Sequence, residues 1–334
     1  MTIRSEWQIL EKIRNFLAER ETVSAPRLLL SLGDDCAVFQ PAEGRLGLLT
    51  ADMSVEGVHF RRDLSGPEDI GYKAMTGNLS DIASMGGTPL YALISLGLPG
   101  DVTEAYTLSL YRGFLDAAES AGTRIAGGDL SASDRLTISI SLYGEAPPEG
   151  AIRRSGARPG DTLYLTGFTG GSLAGLEMLK KPDTSPGTFP MLIQRHNRPA
   201  ARCGIVSEII QIFRPTSMID ISDGLVSDLR HICEESGTGF RLYRDRLPSP
   251  QELRDYCRLS GRDISRYLLE SGEEYELLFT SAKPLAESMR ILVNGIPVTA
   301  IGDITESGFI LSTPEGEYPL PLSGYDHFAK HRKE

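Results

Sequence analysis

The sequence lacks a long hydrophobic run. None of its apolar stretches approaches the roughly 20 residues that a membrane-spanning helix needs. The first 20 residues are charged and amphipathic, and they contain no hydrophobic segment typical of a signal peptide. These two absences predict a cytoplasmic protein with no membrane partner.

Cysteines and basic clusters are also scarce. The four cysteines form no CxxC pair, and neither they nor the five histidines have the spacing of a zinc site, so we interpret the cysteines as small buried free thiols. The formal net charge is -11, and no basic stretch is longer than Arg61-Arg62 or the C-terminal residues 330–333. Because a protein that binds a nucleic acid duplex usually carries a basic face, the charge argues against a nucleic acid partner.

The length of 334 residues suggests two domains, since a single hydrophobic core rarely grows that large. A composition break at 147–150 predicts an N-terminal domain at 1–148 and a C-terminal domain at 149–334. Apolar spacing predicts helices over 5–20, 68–86, 103–121, 199–213 and 225–236, and strands over 46–50, in RLTISISLYGEA and in EYELLFT. Both halves mix helices with strands, so the predicted fold class is α/β or α+β.

Several catalytic signatures are missing from the sequence. It has no GxxxxGK[ST] phosphate-binding loop, no HRD or DFG kinase motif and no GxSxG nucleophile elbow. The glycine-rich turn at 166–172, between a predicted strand and a predicted helix, could hold a phosphate at a helix N-terminus. Such turns are also common for packing alone, and both interpretations stay open.

Aspartates recur beside glycine or serine, mostly after apolar runs. Five such places are Gly33-Asp34-Asp35, Thr50-Ala51-Asp52, Asn78-Leu79-Ser80-Asp81, Gly127-Gly128-Asp129 and Asp220-Ile221-Ser222-Asp223-Gly224. Turn formation alone explains one Asp-Gly pair, but it explains five in one chain poorly. Magnesium prefers hard oxygen ligands and often binds through a few carboxylates together with substrate phosphates. The pattern therefore predicts loops that hold magnesium ions against phosphate groups.

Two further loops carry candidate binding residues. His59 lies seven residues after Asp52, where it is either a structural histidine or a ligand contact. Glu273 and Glu274 follow a glycine and precede a predicted strand, where they are either binding residues or members of a solvated turn.

These segments together resemble the thiamine-monophosphate kinase family, a branch of the aminoimidazole-ribonucleotide synthetase superfamily. The resemblance covers nearly the whole chain, and its most specific parts are the stretches NLSDIASMG, SDGL, SGEEYEL and GYDHF. It implies two α/β domains, with the N-terminal domains pairing in a homodimer. It also implies transfer of the γ-phosphoryl group of ATP to thiamine monophosphate by direct in-line attack, with several Mg²⁺ ions.

The same resemblance implies roles for single residues. The implied metal ligands are Asp35, Thr50, Asp52, Asp81, Asp129, Asp220 and Asp223. The implied ATP contacts are Tyr111, Gly128, Asp129, Arg154 and Ser222, and the implied thiamine phosphate contacts are His59, Glu273 and Tyr325. No catalytic base is expected, because the acceptor phosphate is itself ionised and nucleophilic near neutral pH. The chain departs from the family at Ala51, where many relatives have Thr or Ser, and at Glu274, where Asp is common.

Two alternatives remain open. Other members of the superfamily are ATP-dependent synthetases that act on a phosphorylated ribonucleotide or on a selenium- or hydrogenase-related substrate, and they carry similar aspartate clusters. A non-catalytic nucleotide-binding protein could also have kept the fold, although it would not need so many mutually repelling carboxylates.

Overall fold

The computed structural model describes residues 41–147, 151–181, 189–282 and 290–320, and, nearer the N-terminus, 12–13, 15–17, 19–20, 22, 24, 26–30 and 38–39. The chain divides into two compact units, residues 1–151 and 152–334. The domain boundary expected between 148 and 149 falls in a segment, 148–150, outside the described residues. Its position therefore stays a prediction.

The first unit contains a four-stranded sheet and two long helices. Its sheet has the order β3-β6-β4-β5, with β3 (Leu46–Val55), β4 (Thr88–Leu98), β5 (Arg124–Ala132) and β6 (Thr137–Ala146). Its helices are α1 (Pro67–Ser84) and α2 (Glu104–Ser120), and two short strands, β1 (Leu28–Leu30) and β2 (Val38–Phe39), pair with each other. The β4–β5 pair is parallel and the other two pairs are antiparallel, because α2 forms the long connection that a parallel pair requires.

The helices of the first unit approach each other closely because each has a glycine at the contact. A Cβ atom at Gly71 of α1 would lie 2.2 Å from the carbonyl oxygen of Leu110, and one at Gly113 of α2 would lie 1.9 Å from that of Glu68. Helix α1 also packs on β3, β4 and β6. One face of the sheet is therefore buried under helix.

The second unit contains an eight-stranded sheet. Its strands, in order across the sheet, are β14 (Gly316–Pro319), β13 (Phe309–Thr313), β9 (Gly239–Tyr243), β12 (Ile296–Thr305), β7 (Thr162–Thr166), β10 (Leu277–Ser281) and β8 (Ser217–Asp220), and β11 (Arg290–Val293) pairs with β12. Its helices are α3 (Gly171–Leu179), α4 (Pro190–Asn197), α5 (Val206–Phe213), α6 (Leu225–Ser236), α7 (Gln251–Ser260) and α8 (Ile264–Glu270).

Alternation along β7 explains why both faces of this second sheet are covered. Leu163 and Leu165 are fully buried in a cluster with apolar side chains of α3, α4, α6, α7 and α8. Between them, the ring of Tyr164 lies 4.9 Å from that of Phe213 in α5 and 5.2 Å from that of Phe279. Because successive strand residues point to opposite faces, α5 covers the face opposite to the other helices.

The mixed α/β class is confirmed, and the helices predicted over 68–86, 103–121 and 225–236 are confirmed within two residues at each end. The helix predicted over 199–213 begins later, as a 3-10 turn at Cys203–Ile205 followed by α5. Gly204 is a poor helix former, which is consistent with an α-helix that begins only at Val206. Helix α4 was not predicted, because its eight residues are too few to reveal a helical period. The helix predicted over 5–20 lies largely outside the described residues.

The cysteines in the described part of the chain are free thiols, as predicted: Cys203, Cys233 and Cys257. Burial raises the pKa of the Cys203 thiol to about 12 and that of Cys233 to about 11. Among the described residues, no helix is both long enough and apolar enough to cross a membrane.

Candidate functional site

Thr50 and Asp81, two of the expected metal ligands, lie together in the first unit. Thr50 is in β3 and Asp81 is near the end of α1, which packs on that strand. The hydroxyl of Thr50 donates a hydrogen bond of 2.5 Å to Oδ2 of Asp81. Residues 31 positions apart in the sequence therefore place their oxygen atoms at one point on the helix-covered side of the sheet.

Asp52 lies two residues after Thr50, on the same face of β3. The surrounding protein desolvates its carboxyl and raises its pKa, although the nearby His59 has the opposite effect. The Nδ1 atom of His59 accepts a 3.0 Å hydrogen bond from the N–H of Val55, which fixes the ring orientation. Asp52 and His59 are thus brought close together, as a binding role for both requires.

The loop that carries His59 is held by an ion-pair group. Arg62 donates from Nε to Glu56 at 2.7 Å and from Nη1 to Asp101 at 2.9 Å. The other carboxylate oxygen of Glu56 accepts the N–H of Leu136 at 3.4 Å. These contacts join the two ends of the loop to each other and to the segments that follow β4 and precede β6, and sequence reasoning did not identify them.

Asp129 and Gly128 lie on opposite faces of β5. The strand register aligns Gly128 with Ile94, Ile140 and Asp52, whereas Asp129 aligns with Ser95 in the next row. Asp129 therefore points to the sheet face opposite to that of Asp52, and within this unit the two carboxylates do not converge. A Cβ atom at Gly128 would lie 1.9 Å from the carbonyl oxygen of Ile94, so close strand packing accounts for this glycine.

Tyr111, an expected ATP contact, is a core residue of α2. It is 3% exposed, and its ring packs edge-on against Phe114 at 5.4 Å. Burial raises its pKa. Its role in ATP binding stays a prediction, and its packing in the core of this unit gives that role no support.

The loop at 220–224 in the second unit is held by Asp228. Its Oδ2 accepts three hydrogen bonds of 3.1 Å, from the backbone N–H groups of Ser222, Asp223 and Gly224. Asp220, at the end of β8, is 3% exposed. Sequence reasoning missed Asp228, although an acidic residue in the first turn of a helix that follows a glycine is a recognisable N-terminal signal.

Negative charge is concentrated around this loop. The pKa of Asp228 is raised well above its ordinary value, first by burial and then by the charges of Asp220 and Asp223. Neighbouring negative charges make each carboxyl group harder to ionise unless a cation or protons compensate them. This is the electrostatic setting that a divalent cation would relieve.

A turn at 271–276 is bound to the loop through backbone contacts. The N–H of Glu273 donates to the carbonyl of Ser222 at 2.8 Å, and those of Glu274 and Tyr275 donate to the carbonyl of Ile221 at 3.1 and 2.9 Å. Glu273, an expected substrate contact, is therefore adjacent to Ser222, an expected ATP contact. Glu273 is partly exposed and Ser222 is exposed.

Glu274 does not lie in a solvated turn, and for this residue that interpretation is wrong. Its side chain is fully buried and accepts hydrogen bonds from Ser172 N–H at 3.0 Å, from the Ser271 hydroxyl at 2.7 Å and from Arg195 Nε at 2.9 Å. Glu274, which replaces an Asp common in the family, therefore uses its carboxylate for hydrogen bonds within the second unit.

The glycine-rich turn at 166–172 is not an open phosphate cradle. At the start of α3, the N–H of Ser172 is bound to Glu274, and that of Leu173 is bound to the hydroxyl of Ser271 at 2.9 Å. The N–H of Phe168 faces a carboxylate oxygen of Glu276 at 3.4 Å. Because these donors already have acceptors in the chain, the packing interpretation of this turn is favoured.

Arg154 is exposed on a segment that is fixed beside β8. The carbonyl of the preceding Arg153 accepts the N–H of Met218 at 2.9 Å, and the N–H of Gly156 donates to the hydroxyl of Ser236 at 3.1 Å. Its guanidinium group is therefore available on the same unit as the 220–224 loop.

Two expected site residues, Asp35 and Tyr325, lie outside the described residues. Within the described ranges, no group of three or more His, Cys, Asp or Glu side chains converges closely enough to hold a metal ion. The structure thus brings together Thr50 with Asp81 and surrounds Asp228 with the charges of Asp220 and Asp223, but it does not assemble the full expected ligand set in either unit.

Comparison with known proteins identifies the family. The AIR synthase related protein family matches the chain twice, with its N-terminal domain at 33–146 and its C-terminal domain at 158–314. A thiamine-monophosphate kinase of Bacillus subtilis (strain 168) is 34% identical over 313 residues, which cover 90% of this chain and 93% of that protein. The chain belongs to the thiamine-monophosphate kinase family.

Other relatives in the thiamine-monophosphate kinase family extend the match. The thiamine-monophosphate kinase of Aquifex aeolicus (strain VF5) is 42% identical over 253 residues, which cover 75% of this chain and 81% of the relative. A solved structure, AaThiL complexed with AMPPCP and TMP, has 34% sequence identity and a TM-score of 0.76, covering 98% of this chain and all of that one. The similarity therefore includes both units.

Proposed function

We propose that this chain transfers the γ-phosphoryl group of ATP to the phosphate of thiamine monophosphate, giving thiamine diphosphate and ADP. The observation that carries the proposal is the similarity over 98% of the chain to AaThiL, which was solved with AMPPCP and TMP bound. AMPPCP is an ATP analogue whose γ-phosphoryl group is not readily transferred. In that structure AMPPCP stands for ATP, the phosphoryl donor, and TMP is the phosphoryl acceptor.

The proposed roles divide between the two units. In the first, His59 contacts thiamine phosphate, and Thr50, Asp52 and Asp81 are metal ligands. In the second, Asp220 and Asp223 are metal ligands, Arg154 and Ser222 contact ATP, and Glu273 contacts thiamine phosphate. The expected roles of Asp35, Asp129, Gly128, Tyr111 and Tyr325 complete the proposal. The hydrogen bonds from Thr50 to Asp81 and from Glu273 to Ser222 support the grouping within each unit.

The donors fit magnesium in their chemistry. Asp52 and Asp81 in the first unit, and Asp220 and Asp223 in the second, offer two carboxylates each, and Mg²⁺ commonly takes one or two carboxylates from protein when substrate phosphates supply the rest. Burial raises the pKa of Asp228 most, and the negative charges of Asp220 and Asp223, which such a cation would compensate, raise it further. When bound, magnesium would neutralise charge on the two phosphate partners.

The chain's own residues would bind and orient two anions. At about 4 Å, two unit charges repel each other by roughly 4 kcal/mol at an effective dielectric constant near 20. The guanidinium group of Arg154 would offset part of this repulsion by donating to phosphate oxygens. The acceptor phosphate is ionised near neutral pH, so a general base is not required.

We also propose a homodimer that pairs through the uncovered face of the first sheet. Leu49, Met53 and Leu93 are 83%, 58% and 43% exposed, and they lie on the face opposite to the helices. A sheet face that exposes several large apolar side chains in adjacent rows typically marks an interaction surface. The cytoplasmic location stays a prediction from the sequence.

Asp223→Asn and Asp52→Asn test the proposed chemistry. Both variants should keep the fold and lose most formation of thiamine diphosphate from ATP and thiamine monophosphate, because each loses one anionic ligand. Asp245→Asn, an exposed acidic residue of the second unit, is the matched control and should keep wild-type turnover. Near wild-type turnover by both site variants would overturn the metal assignment. Consumption of ATP with an aminoimidazole ribonucleotide precursor instead of thiamine monophosphate would replace the proposed reaction with a synthetase.

A further inference from the structure

Helix α4 contributes an arginine that binds the 271–276 turn at several points. Nε of Arg195 donates to Oε2 of Glu274 at 2.9 Å, and its Nη2 donates to the carbonyl oxygen of Glu274 at 3.0 Å. The same Nη2 also donates to the carboxylate of Glu276. One planar guanidinium group thus contacts both glutamate side chains on either side of Tyr275 and the main chain between them.

These contacts fix the turn because the charges are buried. The side chains of Glu274 and Glu276 are 0% exposed, and that of Arg195 is 21% exposed. Arg202 contributes a second guanidinium group, whose Nε and Nη2 both donate to Glu276 at 2.5 Å. A buried carboxylate that loses its partner is left uncompensated, so Glu274 and the main chain beside it cannot move away from Arg195 without a large cost.

The turn needs such support because its backbone is strained. Glu273 and Tyr275 have φ angles of 54° and 53°, in the left-handed region that residues other than glycine rarely occupy. Conformations of this kind persist only where the surroundings impose them, and they cluster at functional sites. The loop carbonyls of Ile221 and Ser222 hold one side of the turn, and Arg195 holds the other.

The next residue of α4 lies beside the side chain of Glu273. Nδ1 of His196 is 3.7 Å from Oε2 of Glu273 and 3.2 Å from the hydroxyl of Ser172. His196 is 5% exposed, so its ring has little freedom. Two consecutive residues of α4 therefore contact the turn: Arg195 binds its main chain, and His196 lies beside the carboxylate of Glu273.

We propose that Arg195 is a positioning residue for the thiamine phosphate side of the site. It holds the 271–276 turn in the strained conformation that presents Glu273. The loop on the nucleotide side shares hydrogen bonds with the turn, but Asp228 also binds three of its N–H groups, and those three bonds do not involve Arg195. This inference rests on the proposed function, since it assigns Glu273 to the acceptor.

The test compares Arg195→Lys with Arg202→Lys. Lysine keeps the buried charge, but its compact ammonium group cannot reach the positions of a guanidinium fork at the same time. Arg202 is the matched control, because its Nε and Nη2 atoms bind the side chain of Glu276, whereas Arg195 also binds the main chain of the turn. We expect Arg195→Lys to raise KM for thiamine monophosphate about ten-fold and to leave KM for ATP within about two-fold, and Arg202→Lys to change both by less than about two-fold.

A purely structural role for Arg195 would move both KM values alike or lower kcat alone, and either result would overturn the proposal. An equal rise in KM for thiamine monophosphate in Arg202→Lys would also overturn it. Hydrogen exchange at the N–H groups of residues 273–275 is measured in parallel and should be faster in Arg195→Lys than in Arg202→Lys. This readout needs no activity, so a wild-type chain that makes no thiamine diphosphate counts against the proposed function, whereas unchanged exchange counts against the role of Arg195.

If Arg195→Lys does not fold, Glu274→Gln gives a second comparison. It weakens the hydrogen bond that Nε of Arg195 donates to Glu274 and leaves the bonds from Arg202 to Glu276 in place. KM for thiamine monophosphate should rise about three-fold with KM for ATP unchanged. An unchanged KM for thiamine monophosphate would overturn the proposal.

Discussion

Replacing Asp228 by alanine removes a single oxygen that accepts three hydrogen bonds. The side chain is 1% exposed, and its Oδ2 binds the N–H groups of Ser222, Asp223 and Gly224. The N–H of Gly224 is buried, whereas the other two are partly buried and can find water. One buried donor without an acceptor costs about 1–3 kcal/mol. The two others cost less, so we expect Asp228→Ala to lower the free energy of unfolding by about 2–3 kcal/mol.

Asp228→Asn separates the hydrogen bonds from the charge. Asparagine keeps an oxygen acceptor, and it removes the negative charge that Asp220 and Asp223 repel. Hydrogen bonds to a neutral oxygen are weaker than those to a carboxylate, which destabilises the fold, whereas the loss of repulsion from Asp220 and Asp223 stabilises it. Because the two effects oppose each other, the free energy of unfolding should change by less than about 1 kcal/mol.

Urea unfolding followed by far-ultraviolet circular dichroism, in EDTA so that no divalent cation contributes, measures both variants. Linear extrapolation of the transition of the second unit gives the free energies. A stability of Asp228→Ala within about 0.5 kcal/mol of the wild type would refute the account of the loop. Equal destabilisation by alanine and asparagine would refute the claim that the oxygen acceptor holds it.

Three further predictions concern the interface, the helix contact and pH. Leu49→Glu should convert a dimer into a monomer in sedimentation velocity experiments, because Leu49 is 83% exposed on the uncovered sheet face; a wild-type chain that is already monomeric would contradict the proposed dimer. Gly113→Ala should lower the free energy of unfolding by about 2–3 kcal/mol, since its Cβ would lie 1.9 Å from the carbonyl oxygen of Glu68; an unchanged Tm would contradict this. Burial opposes the charged form of Glu276, but the guanidinium groups of Arg202 and Arg195 outweigh it and lower its pKa. A lowered carboxyl pKa stabilises the fold above the unfolded value, and this contribution is lost as the pH falls through the folded value. Glu276→Gln should therefore be less stable at pH 7 and lose less stability on acidification, and a wild-type acid profile in the variant would contradict the assignment.

The helices and strands with strong periodicity could be predicted from the sequence. The sequence of α1 has small residues on one side of the predicted helix. In the structure α2 packs closely against Gly71 on α1, which explains the need for a small residue there. The aspartate pattern located the loop of Asp220 and Asp223. These features are local, or they repeat along the chain, and a single sequence records them.

The partners of those residues could not be predicted, because they are distant in sequence. Arg195 contacts Glu274 and Glu276 across about 80 residues, and nothing in the short helix that carries it indicates a buried ion pair. The face on which Asp129 lies depends on the register of β5 against β4, which spacing alone does not specify. The sequence therefore predicts the chemistry of the site better than its supporting contacts.

The most direct test of the central claim is the stoichiometry of the wild-type reaction. The protein is incubated with ATP, magnesium and thiamine monophosphate, and thiamine diphosphate and ADP are quantified together by chromatography over time. The two products should form in equal amounts, and neither should form without thiamine monophosphate. Formation of ADP without thiamine diphosphate, or turnover only with a phosphorylated ribonucleotide as acceptor, would contradict the proposed reaction.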